Sequence, residues 1–66
     1  MTKYEAHITE NSFGSDLPEN WEAVAALLNE KIDALEEDEF GDINYDEVCA
    51  IWENYCSGDY DRELGN

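Results

Sequence analysis

The chain has 66 residues, 42% of them apolar, with two Trp, four Tyr and two Phe. Eighteen Asp and Glu face three Lys and Arg, a formal net charge of −15 at pH 7. That balance excludes nucleic acid and anionic membranes as partners, because both repel it, while the length allows one domain at most and the apolar content argues against wholesale disorder.

A chain this short buries only about 60% of the surface its unfolded form exposes, so marginal stability is expected. No apolar run approaches the roughly 20 residues that span a bilayer. The stretch MTKYEAHITE lacks the apolar segment of a signal peptide. Cys49 and Cys56 are seven residues apart. On one helix that is about 10 Å of rise, beyond the roughly 7 Å between Cα atoms that a disulfide tolerates. Free thiols fit a reducing cytoplasm, and no Cys-x-x-Cys or second His builds a zinc site. A cytoplasmic protein is expected.

In residues 3–9, Tyr4, Ala6 and Ile8 alternate with Lys3, Glu5, His7 and Thr9. That alternation predicts a short half-buried β-strand. Its partner stays open between the stretch near Ile43, the tail near Tyr60 and a second copy of the chain. Residues 10–17 are turn-rich.

A helix is predicted from about residue 18 to 36, with Pro18 in its first turn or Asn20 as its cap. Trp21, Val24, Ala25, Leu28, Ile32 and Leu35 form one stripe, and Glu19, Glu22, Glu30, Asp33 and Glu37 centre nearly opposite. An acidic loop, 37–44, leads to a second helix at about 45–56. Asn44 is its cap, Glu47 the capping-box partner, and Ile43 with Val48 the hydrophobic staple. Its stripe is Val48, Ile51, Trp52 and Tyr55, with the two cysteines at the flank. Gly58 stops it. Residues 59–66 read as a polar tail from which Tyr60 can pack back. The expected fold is one α+β mini-domain over residues 1–66: a two-helix helix–loop–helix core with a short N-terminal β-strand.

Residues 35–47, LEEDEFGDINYDE, hold seven carboxylates among thirteen residues, which makes them the first place to look for chemistry. Counted from Glu36, Gly41 is position six, Ile43 eight, Asn44 nine and Glu47 twelve. With the apolar flanks Leu28, Ile32 and Leu35 before it and Val48, Ile51 and Trp52 after it, the segment 25–56 resembles an EF-hand. That resemblance implies calcium held by Glu36, Asp38, the Asp42 carbonyl, Asn44 and Glu47. Two departures weaken it: Glu36 stands where the family has Asp, and Phe40 offers no oxygen at position five. The alternative task for Asn44 and Glu47 is to start the second helix. The reading adopted needs no cofactor and no metal.

Duplex DNA carries one charge per roughly 1.7 Å of axis, so −15 matches about 25 Å of duplex. A globule of this length has a radius of gyration near 11 Å and a diameter of roughly 28 Å. On one continuous helix, Glu30, Asp33 and Glu37 step by about 4.5 and 6 Å, similar to successive phosphates. In size, acidity and helix-face charge the whole chain resembles small inhibitors of phages and mobile elements, the anti-CRISPR and anti-restriction proteins. Several of those mimic DNA and block the DNA-binding or PAM-recognition surface of a host defence complex. The resemblance implies a non-enzymatic inhibitor, a monomer or homodimer in the host cytoplasm, whose partner is a basic DNA- or RNA-binding protein or a CRISPR effector complex.

The residues expected to bind that partner are Glu30, Asp33, Glu36, Glu37, Asp38, Glu39 and Asp42, with Asp46 and Glu53 as a second patch. Phe40 interrupts the acids and is the expected apolar anchor. The other readings are the calcium-binding helix–loop–helix and a small interaction module whose acidity only keeps it soluble. Catalysis has little support. His7 is the one histidine and falls on a polar face, and acidic surroundings raise a thiol's pKa and blunt its reactivity.

Overall fold

The computed structural model describes residues 1–65. Among them it is helical: α1 (Lys3–Ala6), a 3-10 turn (Glu10–Phe13), α2 (Trp21–Asp33), α3 (Tyr45–Cys56) and α4 (Asp61–Leu64). The only β pairing among the described residues is one isolated antiparallel bridge, Thr2 with Asp42.

The expected α+β fold with a strand at 3–9 is therefore wrong, and the reason is local. Thr2-Lys3-Tyr4-Glu5 is a capping box. The Thr2 hydroxyl accepts the Glu5 N–H at 3.2 Å, and the Glu5 carboxylate accepts the Thr2 N–H at 3.0 Å. These bonds start a one-turn helix. The alternation is also broken, since Tyr4 is 87% exposed while Ala6 and Ile8 are buried. Beyond α1 the backbone does extend, but Ile8 meets a side chain in place of a strand. Its N–H donates to Asn29 Oδ1 at 2.6 Å, and its carbonyl accepts from Asn29 Nδ2 at 3.1 Å.

α2 is the hub, touching α1, the 3-10 turn, α3 and α4. Val24, Leu28 and Ile32 on its stripe are fully buried, each burial contributing about 1.5–3 kcal/mol. Ala6, Ile8, Ala25, Ile43, Val48 and Ile51 complete the core. Where the stripe predicted a helix to residue 36, α2 stops at Asp33. Its carboxyl end carries negative partial charge, and the next turn would bring Glu36 and Glu37 against it. Lys3 instead donates from Nζ to the Asp33 carbonyl at 2.7 Å, supplying a cation where the helix wants one. Pro18 lies ahead of α2, its carbonyl accepting from the Trp21 N–H at 3.1 Å.

α3 spans the residues expected of the second helix. Asn44 caps it, but the acceptor Oδ1 takes the Asp46 N–H at 2.8 Å. α3 ends on a Schellman motif: Gly58, at φ +86°, donates to the Tyr55 carbonyl at 3.1 Å, and Asp59 donates to Asn54 at 3.0 Å. The segment read as a polar tail turns back as α4. Lys31 sits 4.4 Å from the Tyr60 ring centroid, Asn54 bonds the Tyr60 hydroxyl at 3.3 Å, and Tyr60 and Leu64 pack on the core. The part of the tail at residue 66 lies outside the described residues. The Cα radius of gyration is 12.0 Å and the extents are 37 × 22 × 16 Å, so the molecule is longer than the globule its chain length implies. No helix among the described residues is long and apolar enough to cross a membrane.

Candidate binding surface

The loop between α2 and α3 is closed by one carboxylate. Asp38 Oδ1 accepts the N–H groups of Phe40 at 2.8 Å and Asp42 at 2.9 Å. Asp38 N–H donates to the Asp42 carbonyl at 2.9 Å, and Gly41 N–H to the Asp38 carbonyl at 3.1 Å. The turn needs φ +80° at Gly41, a region open to glycine at little cost. The Asp42 and Phe40 N–H groups hold the Asp38 carboxyl below its ordinary pKa. The loop is lashed to the N-terminal segment by the Thr2–Asp42 bridge and by the Ile43 N–H, which donates to the Met1 carbonyl at 2.8 Å. The product is a short, internally bonded tip that leaves Phe40 79% exposed.

The ten expected partner-binding residues do not form one set. Glu36, Glu37, Asp38 and Asp42 gather around one open concavity with Ile43 and Asn44. Glu39 and Phe40 are exposed at the tip of the same loop. Glu30 and Asp33 are exposed on α2, and Asp46 and Glu53 on α3. The row Glu30, Asp33, Glu37 is broken, because α2 ends before Glu37. Asp42 is half-buried.

Several of these acids already have partners. Glu37 pairs with Lys3 Nζ at 3.5 Å, and Asp42 Oδ1 lies 3.6 Å from the Met1 amino group. Asp33 Oδ1 is 2.6 Å from His7 Nε2, so the histidine expected on a strand face instead ties α1 to the end of α2. Among the described residues, Glu30, Glu36, Glu39, Asp46 and Glu53 form no ion pair. Phe40 is the other exposed member of the set without an internal role.

Of the residues of the calcium reading, Glu36, Asp38, Asp42 and Asn44 line that concavity, but two of their oxygens are already engaged. Asp38 Oδ1 is taken up by two amides, Asn44 Oδ1 by the Asp46 N–H, and Glu47 does not line the concavity. Among the described residues no three His, Cys, Asp or Glu side chains are grouped to hold a metal ion. The structural roles of three residues, Asn29, Thr2 and Glu5, escaped the sequence reading. Asn29 gives no signal, being one polar residue in a helix. Thr2 with Glu5 does give one, the T-x-x-E pattern before a helix. Compared with known proteins, the chain matches no family model, no curated protein and no solved structure.

Proposed function

We propose that the protein is a non-enzymatic inhibitor whose acidic loop occupies a basic, nucleic-acid-binding surface of a host defence complex and competes with DNA there. The supporting observation is the loop tip. Glu36 and Glu39 are exposed carboxylates without an internal cation, and Phe40 stands 79% exposed between acids on a turn fixed by Asp38. A rigid tip loses little conformational freedom on docking. The net charge of −15 steers it toward positive surfaces, and the phenyl ring supplies the apolar contact that charge alone lacks. Glu30, Asp33, Glu37 and Asp42 add to the field around the tip. The size and acidity shared with anti-CRISPR and anti-restriction proteins point to the kind of target.

The test is competition. A guide-loaded CRISPR effector complex and a restriction enzyme are each given labelled target duplex, and the chain is titrated in. Displacement of the duplex is expected for at least one target. Glu36→Lys with Glu39→Lys should raise the required concentration by at least about tenfold, a change of about 1.4 kcal/mol. Asp38 is spared in this variant because replacing it opens the loop. Absence of displacement from every such complex, or equal displacement by the variant, removes the proposal.

A further inference from the structure

α3 carries two apolar stripes, one buried in the core and one partly open. Val48 and Ile51 are buried, with Tyr55 half-buried beside them. Tyr45, Cys49, Trp52 and Cys56 stand at i, i+4, i+7 and i+11. At about 100° per residue they fall within an arc of about 60°, centred roughly 100° from the buried stripe. They run about 16 Å along the axis, three turns of helix. This second stripe is partly open: Tyr45 is 61% exposed, Cys56 is exposed and Cys49 half-buried, while the half-buried Trp52 packs one side against the core. The neighbouring Cys49 thiol pushes the Tyr45 phenol's pKa up. The half-buried Phe13 meets the Trp52 ring edge-on, centroids 5.6 Å apart, and widens the apolar surface.

The border is acidic. Asp46 and Glu53 lie about 70–90° further round α3, on the side away from the core. Both are exposed, and neither forms an ion pair among the described residues. The face thus reads, in order around the helix, core, partly open apolar stripe, free carboxylates. A second copy of this chain would bring a further −15 of charge against that border. An occupant that buries the stripe and also neutralises the border has apolar residues flanked by cations.

We infer that the Tyr45–Cys49–Trp52–Cys56 face, edged by Asp46 and Glu53, docks an amphipathic helix of another protein whose apolar stripe is bordered by Lys or Arg. The recognition is helix against helix, apolar residues at i, i+3, i+4 and i+7 setting the register and the basic border setting the orientation. It uses a surface other than the loop tip and holds whether or not that tip competes with DNA.

The probe is a peptide of about 14 residues of Leu and Lys arranged as an amphipathic helix, near the length at which helices persist alone. The control is the same composition scrambled, so that charge is equal and helical spacing is lost. Binding is read by anisotropy of the labelled peptide at about 0.15 M salt, where distant charges are screened, and mapped by backbone NMR shifts. The ordered peptide should bind at least about tenfold tighter than the scramble, about 1.4 kcal/mol, with shifts centred on residues 45–56. Tyr45→Ser with Cys56→Ser alters only exposed side chains and should abolish that preference while leaving the circular dichroism unchanged. Glu36→Lys with Glu39→Lys should keep it. Equal binding of the two peptides, shifts confined to residues 36–42, or an undiminished preference in the double serine variant would overturn the inference. So would sedimentation as a dimer that the double serine variant dissolves, since the occupant would then be a second copy.

Discussion

Asp38 and Glu5 each anchor a turn by accepting backbone amides, and each is held below its ordinary carboxylate pKa by those bonds. For Asp38 the Asp42 N–H is the larger cause and the Phe40 N–H the second. For Glu5 the Thr2 N–H leads and the Thr2 hydroxyl follows. A group that binds its proton less readily when folded favours folding at pH above its unfolded value, near 4. That support is lost as pH falls through the lower folded value. Below about pH 4 these two groups therefore withdraw stability, against the relief of repulsion among the other acids. Melting followed by circular dichroism should show Asp38→Ala below the parent at pH 7, with the gap closing as pH falls through that range. Parallel curves for the two proteins would mean that the loop bonds contribute nothing to the fold. Asn29 belongs to the same scale. Its amide satisfies both polar groups of the buried Ile8 backbone, and a buried group left unpaired costs about 1–3 kcal/mol.

Helix ends settle more of this fold than helix middles. Gly58 sits at φ +86°, and a Cβ there would lie 3.0 Å from Asp61 Oδ2. A left-handed conformation costs a residue with a Cβ about 1–2 kcal/mol. Gly58→Ala should lose that much stability in urea, out of a total of about 3–10 kcal/mol for a chain this long. A neutral substitution would show that the Schellman turn does not tie α4 to α3. The legible elements follow the same division. The stripes of α2 and α3 were readable because Val24, Leu28, Ile32, Val48 and Ile51 recur at helical spacing, and Asn44 and Gly58 mark the limits of α3. Residues 3–9 were misread because three alternating apolar residues outweighed Thr2-x-x-Glu5, a cap pattern specific to a helix start. The end of α2 was misplaced because it depends on Lys3, thirty residues away, reaching the Asp33 carbonyl. The acidic loop was legible as a candidate surface only in part. Composition shows the charge, but only the bonds to Asp38, Lys3 and His7 separate committed acids from Glu36 and Glu39.

Charge is the property of the molecule as a whole. Along its 37 Å axis, duplex DNA would carry about 22 charges, so the net −15 gives a line density about two-thirds that of duplex. The near-parity expected from a 28 Å globule does not hold, because the chain is elongated. Two of the three positive side chains are engaged near the end of α2: Lys3 on the Asp33 carbonyl and Glu37, Lys31 over Tyr60. That concentrates compensation at one region and leaves the loop tip and the outer edge of α3 uncompensated. Two effects then respond oppositely to salt. Self-repulsion among eighteen acids opposes folding and is screened as the Debye length falls from about 30 Å at 0.01 M to about 8 Å at 0.15 M. The surface pairs Lys3–Glu37 and Met1–Asp42, each with one half-buried member, are weakened by the same screening, but such pairs contribute only about 0–1 kcal/mol each. Repulsion has many more terms, so Tm should rise between about 0.01 M and 0.5 M NaCl. Sucrose, which is uncharged, is the control for general solute effects. A Tm that falls with salt would mean that the few ion pairs outweigh the field. In that case the acids are compensated within the fold, and the long-range attraction to a basic partner would be correspondingly small.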